Sequence, residues 1–172
     1  SGFINVPGTN QLVVYQTTGS SGAAFFRGKI SLMPATVGVL TNDLDGDGLP
    51  DPWETQYFGN LNATAASLTL NGQTALQNYV AGTNPTNATS VFKVSLTSSG
   101  NTQTVAFATL PTQGLGYEGR QRYYTLESSP TPTGPWQAVP GRSTILGAGQ
   151  TVTYQATAPA APLFFRGRVW LQ

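Results

Sequence analysis

Twelve consecutive residues carry most of the chain's chemical potential: Asp43-Leu44-Asp45-Gly46-Asp47-Gly48-Leu49-Pro50-Asp51-Pro52-Trp53-Glu54. Side-chain oxygens fall at positions 1, 3, 5, 9 and 12, from Asp43, Asp45, Asp47, Asp51 and Glu54. Gly48 takes position 6, where a cation loop of this length turns sharply, and Leu49 takes position 7, which needs only a backbone carbonyl. Five of the chain's seven acidic residues lie here. Carboxylates this close repel one another unless a cation sits among them. A solvated acidic turn is the plainer alternative. It does not account for glycine at position 6 together with glutamate at position 12.

This ligand spacing is that of an EF-hand loop, and it predicts a calcium site formed by Asp43, Asp45, Asp47, Leu49, Asp51 and Glu54. A short helix must leave such a loop. Residues 51–58 (DPWETQYF) are suited to it, with proline tolerated in the first turn, acids near the N-terminus and Gly59 as the stop. A second helix is predicted over 74–81 (TALQNYVA), closed by Gly82; its apolar residues Ala75, Leu76, Tyr79 and Val80 recur at helical spacing. Before it, Ser67, Thr69, Asn71 and Asn78 occupy positions 1, 3, 5 and 12 of a worn second loop, with Gly72 at position 6. None carries charge, and position 9 is Ala75. The first reading of this loop is a structural turn that keeps the loop shape; the second is a weak metal site.

Composition excludes several classes of function. The chain has 172 residues, 39% of them hydrophobic, enough for one large or two small globular domains. Only 9% are charged, against roughly 25% in an average soluble domain. Threonine, serine, asparagine and glutamine supply the polarity, as suits an extracellular protein. With no Cys there is no disulfide, and with no His the usual general base and commonest transition-metal ligand are missing. The net charge of +1 with scattered basic residues gives no nucleic-acid footprint. No apolar run approaches the roughly 18 residues of a membrane span. No secretory leader is evident, and Ser1-Gly2-Phe3 reads as a mature or excised end.

The rest of the chain reads as β, and part of it is repeated. Leu163-Phe164-Phe165-Arg166-Gly167-Arg168 matches Ala24-Phe25-Phe26-Arg27-Gly28-Lys29, and Tyr154-Gln155 matches Tyr15-Gln16, at a constant offset of 139 residues. The repeating unit is therefore 34–172, and residues 1–33 are the last strands of a preceding unit or an assembly arm. After a turn-rich linker at 83–89, strands are expected at 91–97, 102–110, 122–127, 136–139, 150–156 and 163–171. Their alternation marks Phe92, Val94, Leu96, Val105, Phe107, Tyr124, Leu126, Trp136, Val152, Tyr154, Phe165, Val169 and Leu171 as inward-facing. The expected fold is mainly β: a β-sandwich over 91–172, preceded at 34–90 by a small EF-hand-like calcium module with two short helices.

At DLDGDGLPDPWETQYFG, LQNYVAGTNPTN and SVFKV the chain resembles the thrombospondin type 3-like and dockerin-like calcium repeats of large secreted bacterial surface proteins. Its β part, with GRQRYYTLESS and FFRGRVWL, is similar to the Ig-like or fibronectin-like module that accompanies them. The resemblance implies calcium at the first loop, an extracellular or cell-surface location and a structural or adhesive role. The second loop departs from the family pattern where Ser67, Thr69, Asn71 and Asn78 replace acids.

No catalytic constellation is expected. Outside the loop the only carboxylates are Glu118 and Glu127, read as surface partners of Arg120 and Arg122. Arg166 is expected to stack or hydrogen-bond at a strand edge. Tyr123, Trp136 and Trp170 are candidates for stacking on a polysaccharide, with core packing as the plainer role for both tryptophans. Asn62 and Asn87 lie in Asn-x-Thr sites for glycosylation. Two functions follow. One is a calcium-stabilised structural repeat of a surface or fibre-forming protein that self-associates head-to-tail through strands. The other is a carbohydrate-binding accessory module of a secreted enzyme.

Overall fold

The computed structural model describes residues 24–27, 42–157 and 163–172. The expectations for 1–23 and 28–33, and for the start of the 34–90 module up to residue 41, lie outside these residues.

Two antiparallel sheets pack together as a sandwich, with two short helices on the N-terminal side. The first sheet runs β1 (Ala24–Arg27), β2 (Lys93–Ser99), β3 (Thr102–Ala108) and β7 (Thr151–Thr157), in that order. The second is centred on β4 (Arg122–Ser129). Along one edge β4 pairs with the two-residue strands β5 (Gln137–Ala138) and β6 (Ile145–Leu146), and along the other with β8 (Phe164–Leu171). The helices are α1 (Asp51–Phe58) and α2 (Ala75–Ala81). β6 was not expected, since two residues between turns carry no readable alternation.

Alternation sets the core. Phe92, Val94, Leu96, Val105, Phe107 and Val152 of the first sheet meet Tyr124, Leu126, Phe165 and Val169 of the second, all buried. Phe92, Phe107 and Tyr124 form an aromatic centre with ring centroids 5.6–5.9 Å apart. Gly167 lets Phe92 approach β8, because a Cβ there would lie 2.6 Å from the ring. The glycine of the repeated Phe-Phe-Arg-Gly segment is thus a packing requirement. Tyr154 and Leu171 are partly buried against the core.

Trp136 departs from its expected core position. It is half-buried, and its ring stacks with Arg166, whose guanidinium carbon lies 4.5 Å from the ring centroid. The expected pairing of Glu127 with Arg122 is also overturned. Glu127 accepts from Arg166 Nε at 2.5 Å, with Arg168 Nη1 at 4.0 Å. Arg122 is buried (1% exposed) because it shares a sheet face with Tyr124 and Leu126.

Both helices start and stop as their sequences dictate. Thr74 forms a capping box with Gln77, each side chain bonding the other's backbone N–H. Gly59 and Gly82 close α1 and α2 in the left-handed conformation. The helical segment and the sandwich share one continuous core. Tyr79 of α2 stacks on Tyr117 at 4.8 Å, donates its hydroxyl to Gly116 O at 2.7 Å, and touches Trp53 of α1 at 5.7 Å. Arg122 Nε donates to Val80 O at 2.7 Å and its Nη1 to Pro111 O at 2.7 Å, so a buried cation is held among carbonyls near the C-terminus of α2.

Candidate metal centre

The acidic loop is shaped by its own carboxylates. Asp43 Oδ1 accepts from Gly46 N at 2.8 Å and its Oδ2 from Gly48 N at 3.0 Å. Asp47 Oδ1 accepts from Leu49 N at 2.8 Å, and Asp51 Oδ1 from Leu44 N at 2.9 Å. Gly48 turns the chain at φ +93°, a backbone state that L side chains rarely adopt. Leu49 and Trp53 are buried and pin the loop and the first turn of α1 to the core.

These constraints gather the acids into two overlapping groups. Carboxylate oxygens of Asp43, Asp45 and Asp51 lie within 4.8 Å of one another, as do those of Asp45, Asp47 and Glu54. Such a cluster could hold a metal ion. Glu54 is fully buried (0% exposed), yet neither of its carboxylate oxygens has a hydrogen-bond partner among the described residues, and the same is true of Asp47 Oδ2. Burial pushes the Glu54 carboxyl up to about 7, and the charges of Asp47, Asp45, Asp51 and Asp43 act in the same direction. Asp45 is raised too, by desolvation first and then by Asp47 and Asp43, against an opposing hydrogen bond from the Asp47 backbone.

The second loop brings three of its four residues together. Asn78 Nδ2 donates to Thr69 Oγ1 at 2.8 Å, Asn71 Nδ2 donates to Asn78 Oδ1 at 2.6 Å, and Thr69 Oγ1 donates to Asn71 Oδ1 at 2.8 Å. Thr83 Oγ1 adds a bond to Asn78 Oδ1 at 2.6 Å. Ser67 stands apart, its Oγ accepting from Thr64 N at 2.9 Å. Amide N–H groups therefore supply positive partial charge at the centre of this loop.

Asn62 and Asn87 are exposed; Asn87 Oδ1 accepts from Thr89 N at 3.0 Å within its own Asn-x-Thr site. Tyr123 and Trp170 are half-buried and stack at 5.7 Å with an interplanar angle of 23°. Sequence reasoning missed Arg122 and Tyr117, which tie the loop module to the sandwich. The available signal was an arginine in phase with Tyr124 and Leu126 on one strand. Among the described residues no helix is long and apolar enough to cross a membrane. The chain matches no family model, no curated protein and no solved structure.

Proposed function

We propose that this chain is a calcium-stabilised structural module of an extracellular surface or fibre-forming protein, built as an EF-hand-like loop docked on an Ig/fibronectin-like sandwich. The observation that carries the reading is Glu54: a completely buried carboxylate with two unpartnered oxygens, facing the Asp45 and Asp47 carboxylates. Burying an uncompensated charge is costly, and a divalent cation bound at that point removes the cost. The donors are all oxygen. Calcium accepts six to eight such ligands in flexible geometry, whereas magnesium demands a stricter octahedron and retains its waters. Asp43, Asp45, Asp47, Asp51 and Glu54, with the Leu49 carbonyl, are the proposed ligands. The ion supplies charge compensation and cross-linking of the loop to α1, with no catalytic part.

Assembly is proposed to be head-to-tail. β1 lies antiparallel on β2 of the same chain, with Ala24 opposite Leu96 and Arg27 opposite Lys93, so a strand of this sequence fits the β2 edge, and units are proposed to exchange it. β1 and β8 carry the same Phe-Phe-Arg sequence, so segments of one repeat line edges of both sheets. A strand donated from one unit to the β2 edge of the next makes a heterologous contact, and such contacts propagate when they do not close.

Thermal unfolding tests the calcium reading. Ligand at 100 times Kd adds about 2.7 kcal/mol to native stability. Stripping metal should lower the melting temperature and calcium, more than magnesium, should restore it; identical curves with and without calcium refute the site. Deleting residues 1–33 tests the assembly. A remainder that assembles to the same extent as the full chain rules out strand donation.

A further inference from the structure

The outer face of the second sheet carries a different chemistry from the acidic loop. Strand register places Tyr123 opposite Trp170, Thr125 opposite Arg168 and Glu127 opposite Arg166. Alternation turns all six away from the core formed by Tyr124, Leu126 and Val169; Thr125 and Glu127 are nonetheless buried, which leaves Tyr123, Trp170, Arg166 and Arg168 as the partly exposed members. Trp136, two residues before the Ala138 that faces Glu127, lies on the same side. The result is a row of flat groups. Tyr123 stacks on Trp170, Arg168 lies 5.7 Å from the Trp170 ring centroid, and Arg166 lies 4.5 Å from that of Trp136. Positions 166 and 170 are roughly 13 Å apart along an extended strand.

Charge on this row is unbalanced. One carboxylate, Glu127, serves two guanidiniums: it bonds Arg166 at 2.5 Å and leaves Arg168 at 4.0 Å. Arg168 Nε is buried with no hydrogen-bond partner among the described residues, while the side chain as a whole is 27% exposed, so its Nη groups are what a ligand would meet. The face is thus mainly aromatic and positive by one charge; its aliphatic members are Ala138 opposite Glu127 and the exposed Leu146 opposite Tyr123, at its β5 and β6 edge. A protein partner would be expected to meet an apolar core at such a patch. A nucleic acid would require a larger basic surplus. Rings that stack on the C–H faces of sugars, beside a guanidinium that can grip a carboxylate through two parallel N–H bonds, suit an anionic glycan.

We propose that the outer face of β4 and β8 binds an acidic polysaccharide, with Trp170 and Tyr123 as the stacking platform and Arg168 pairing with a sugar carboxylate. The site uses no residue of the acidic loop, so it stands or falls separately from the calcium reading.

Affinity electrophoresis of the full chain, with calcium present, through gels containing hyaluronan tests it, with dextran as the neutral control and single-stranded DNA as the polyanion control. Hyaluronan should retard the protein and dextran should not. Trp170→Ala and Arg168→Gln should each weaken retardation about tenfold, a loss of about 1.4 kcal/mol. Trp170→Phe, which keeps a ring, should retain most of the binding and guards against misfolding of the alanine variant. Lys93→Gln, at an exposed position on the other sheet, should leave retardation unchanged. Absence of retardation by hyaluronan, equal retardation by dextran, stronger retardation by DNA, or an equal loss in Lys93→Gln each overturns the proposal.

Discussion

Asn78 stands in the second loop where Glu54 stands in the first, at the twelfth position, and both side chains are completely buried. Their surroundings are opposite. The Asn78 amide accepts from Asn71 Nδ2 and Thr83 Oγ1 and donates to Thr69 Oγ1 and Thr74 O. The Glu54 carboxylate accepts nothing among the described residues. The twelfth position is thus part of a neutral amide network in the second loop, and in the first it is a carboxylate without a donor, in an acidic cluster that could hold a metal ion.

Glu54→Gln should separate these two logics. The substitution keeps the shape, removes a buried charge and places an N–H donor among the aspartates. In metal-free buffer the variant should melt above the parent, by a few degrees if about 1 kcal/mol is gained. With saturating calcium the order should reverse, because only the parent gains binding energy. A variant that still responds fully to calcium would show that Glu54 is not a ligand.

Asn78→Ala should destabilise the protein with or without calcium. It leaves Asn71, Thr69 and Thr83 short of a buried partner, at about 1–3 kcal/mol for an unmet polar group. Ser67→Ala, outside that network, should cost little. Denaturant melts of the two variants check this; equal losses would mean that the Ser67 hydroxyl has a larger part than its side-chain contact with Thr64 indicates.

The raised carboxyl of Glu54 gives the metal-free protein a distinct pH dependence. Its ordinary value is 4.5 and its folded value is about 7, so between these limits the native state holds a proton that the unfolded chain has released. Stability of the metal-free protein should therefore fall as pH rises from about 4.5 to about 7 through this group, and level off above. Calcium displaces the proton, so its apparent affinity should weaken as pH drops below about 7. Melting curves across this range, with and without calcium, should diverge as pH rises; parallel curves would detach Glu54 from the cation.

The acidic loop and both helices were legible because each is specified locally. Ligand spacing, Gly48, Gly59 and the Thr74–Gln77 box all act within a few residues of one another. The sandwich core was legible by alternation. Trp136 was misplaced because it lies just before a two-residue strand, where alternation has no length over which to register. The partners of Glu127 were misassigned because Arg166 reaches it from a strand 39 residues away, through a register that only pairing with β4 fixes. Arg122 was taken for a surface residue on charge alone, although its strand phase pointed inward.

Arg122 also predicts how far the effect of a cation travels. Its guanidinium bonds the carbonyl of Val80 in α2 and that of Pro111 in the sandwich, and lies 5.0 Å from the Tyr117 ring centroid. Gly82 permits this approach, since a Cβ there would fall 2.5 Å from Arg122 Nη1. Loop, helices and sandwich should therefore unfold together in the parent, and calcium should raise the midpoint of the whole. Arg122→Met keeps the apolar stem but leaves the Val80 and Pro111 carbonyls without this donor, at about 1–3 kcal/mol for a buried polar group left unmet. Gly82→Ala should act in the same direction by driving the guanidinium out. In either variant, Trp53 reports on α1 while Trp136 and Trp170 report on the sandwich. Site-resolved melting should then show two transitions, only the one containing Trp53 shifting with calcium. A single calcium-dependent transition in both variants would show that the stacked Tyr79 and Tyr117 rings suffice to couple the two parts without Arg122.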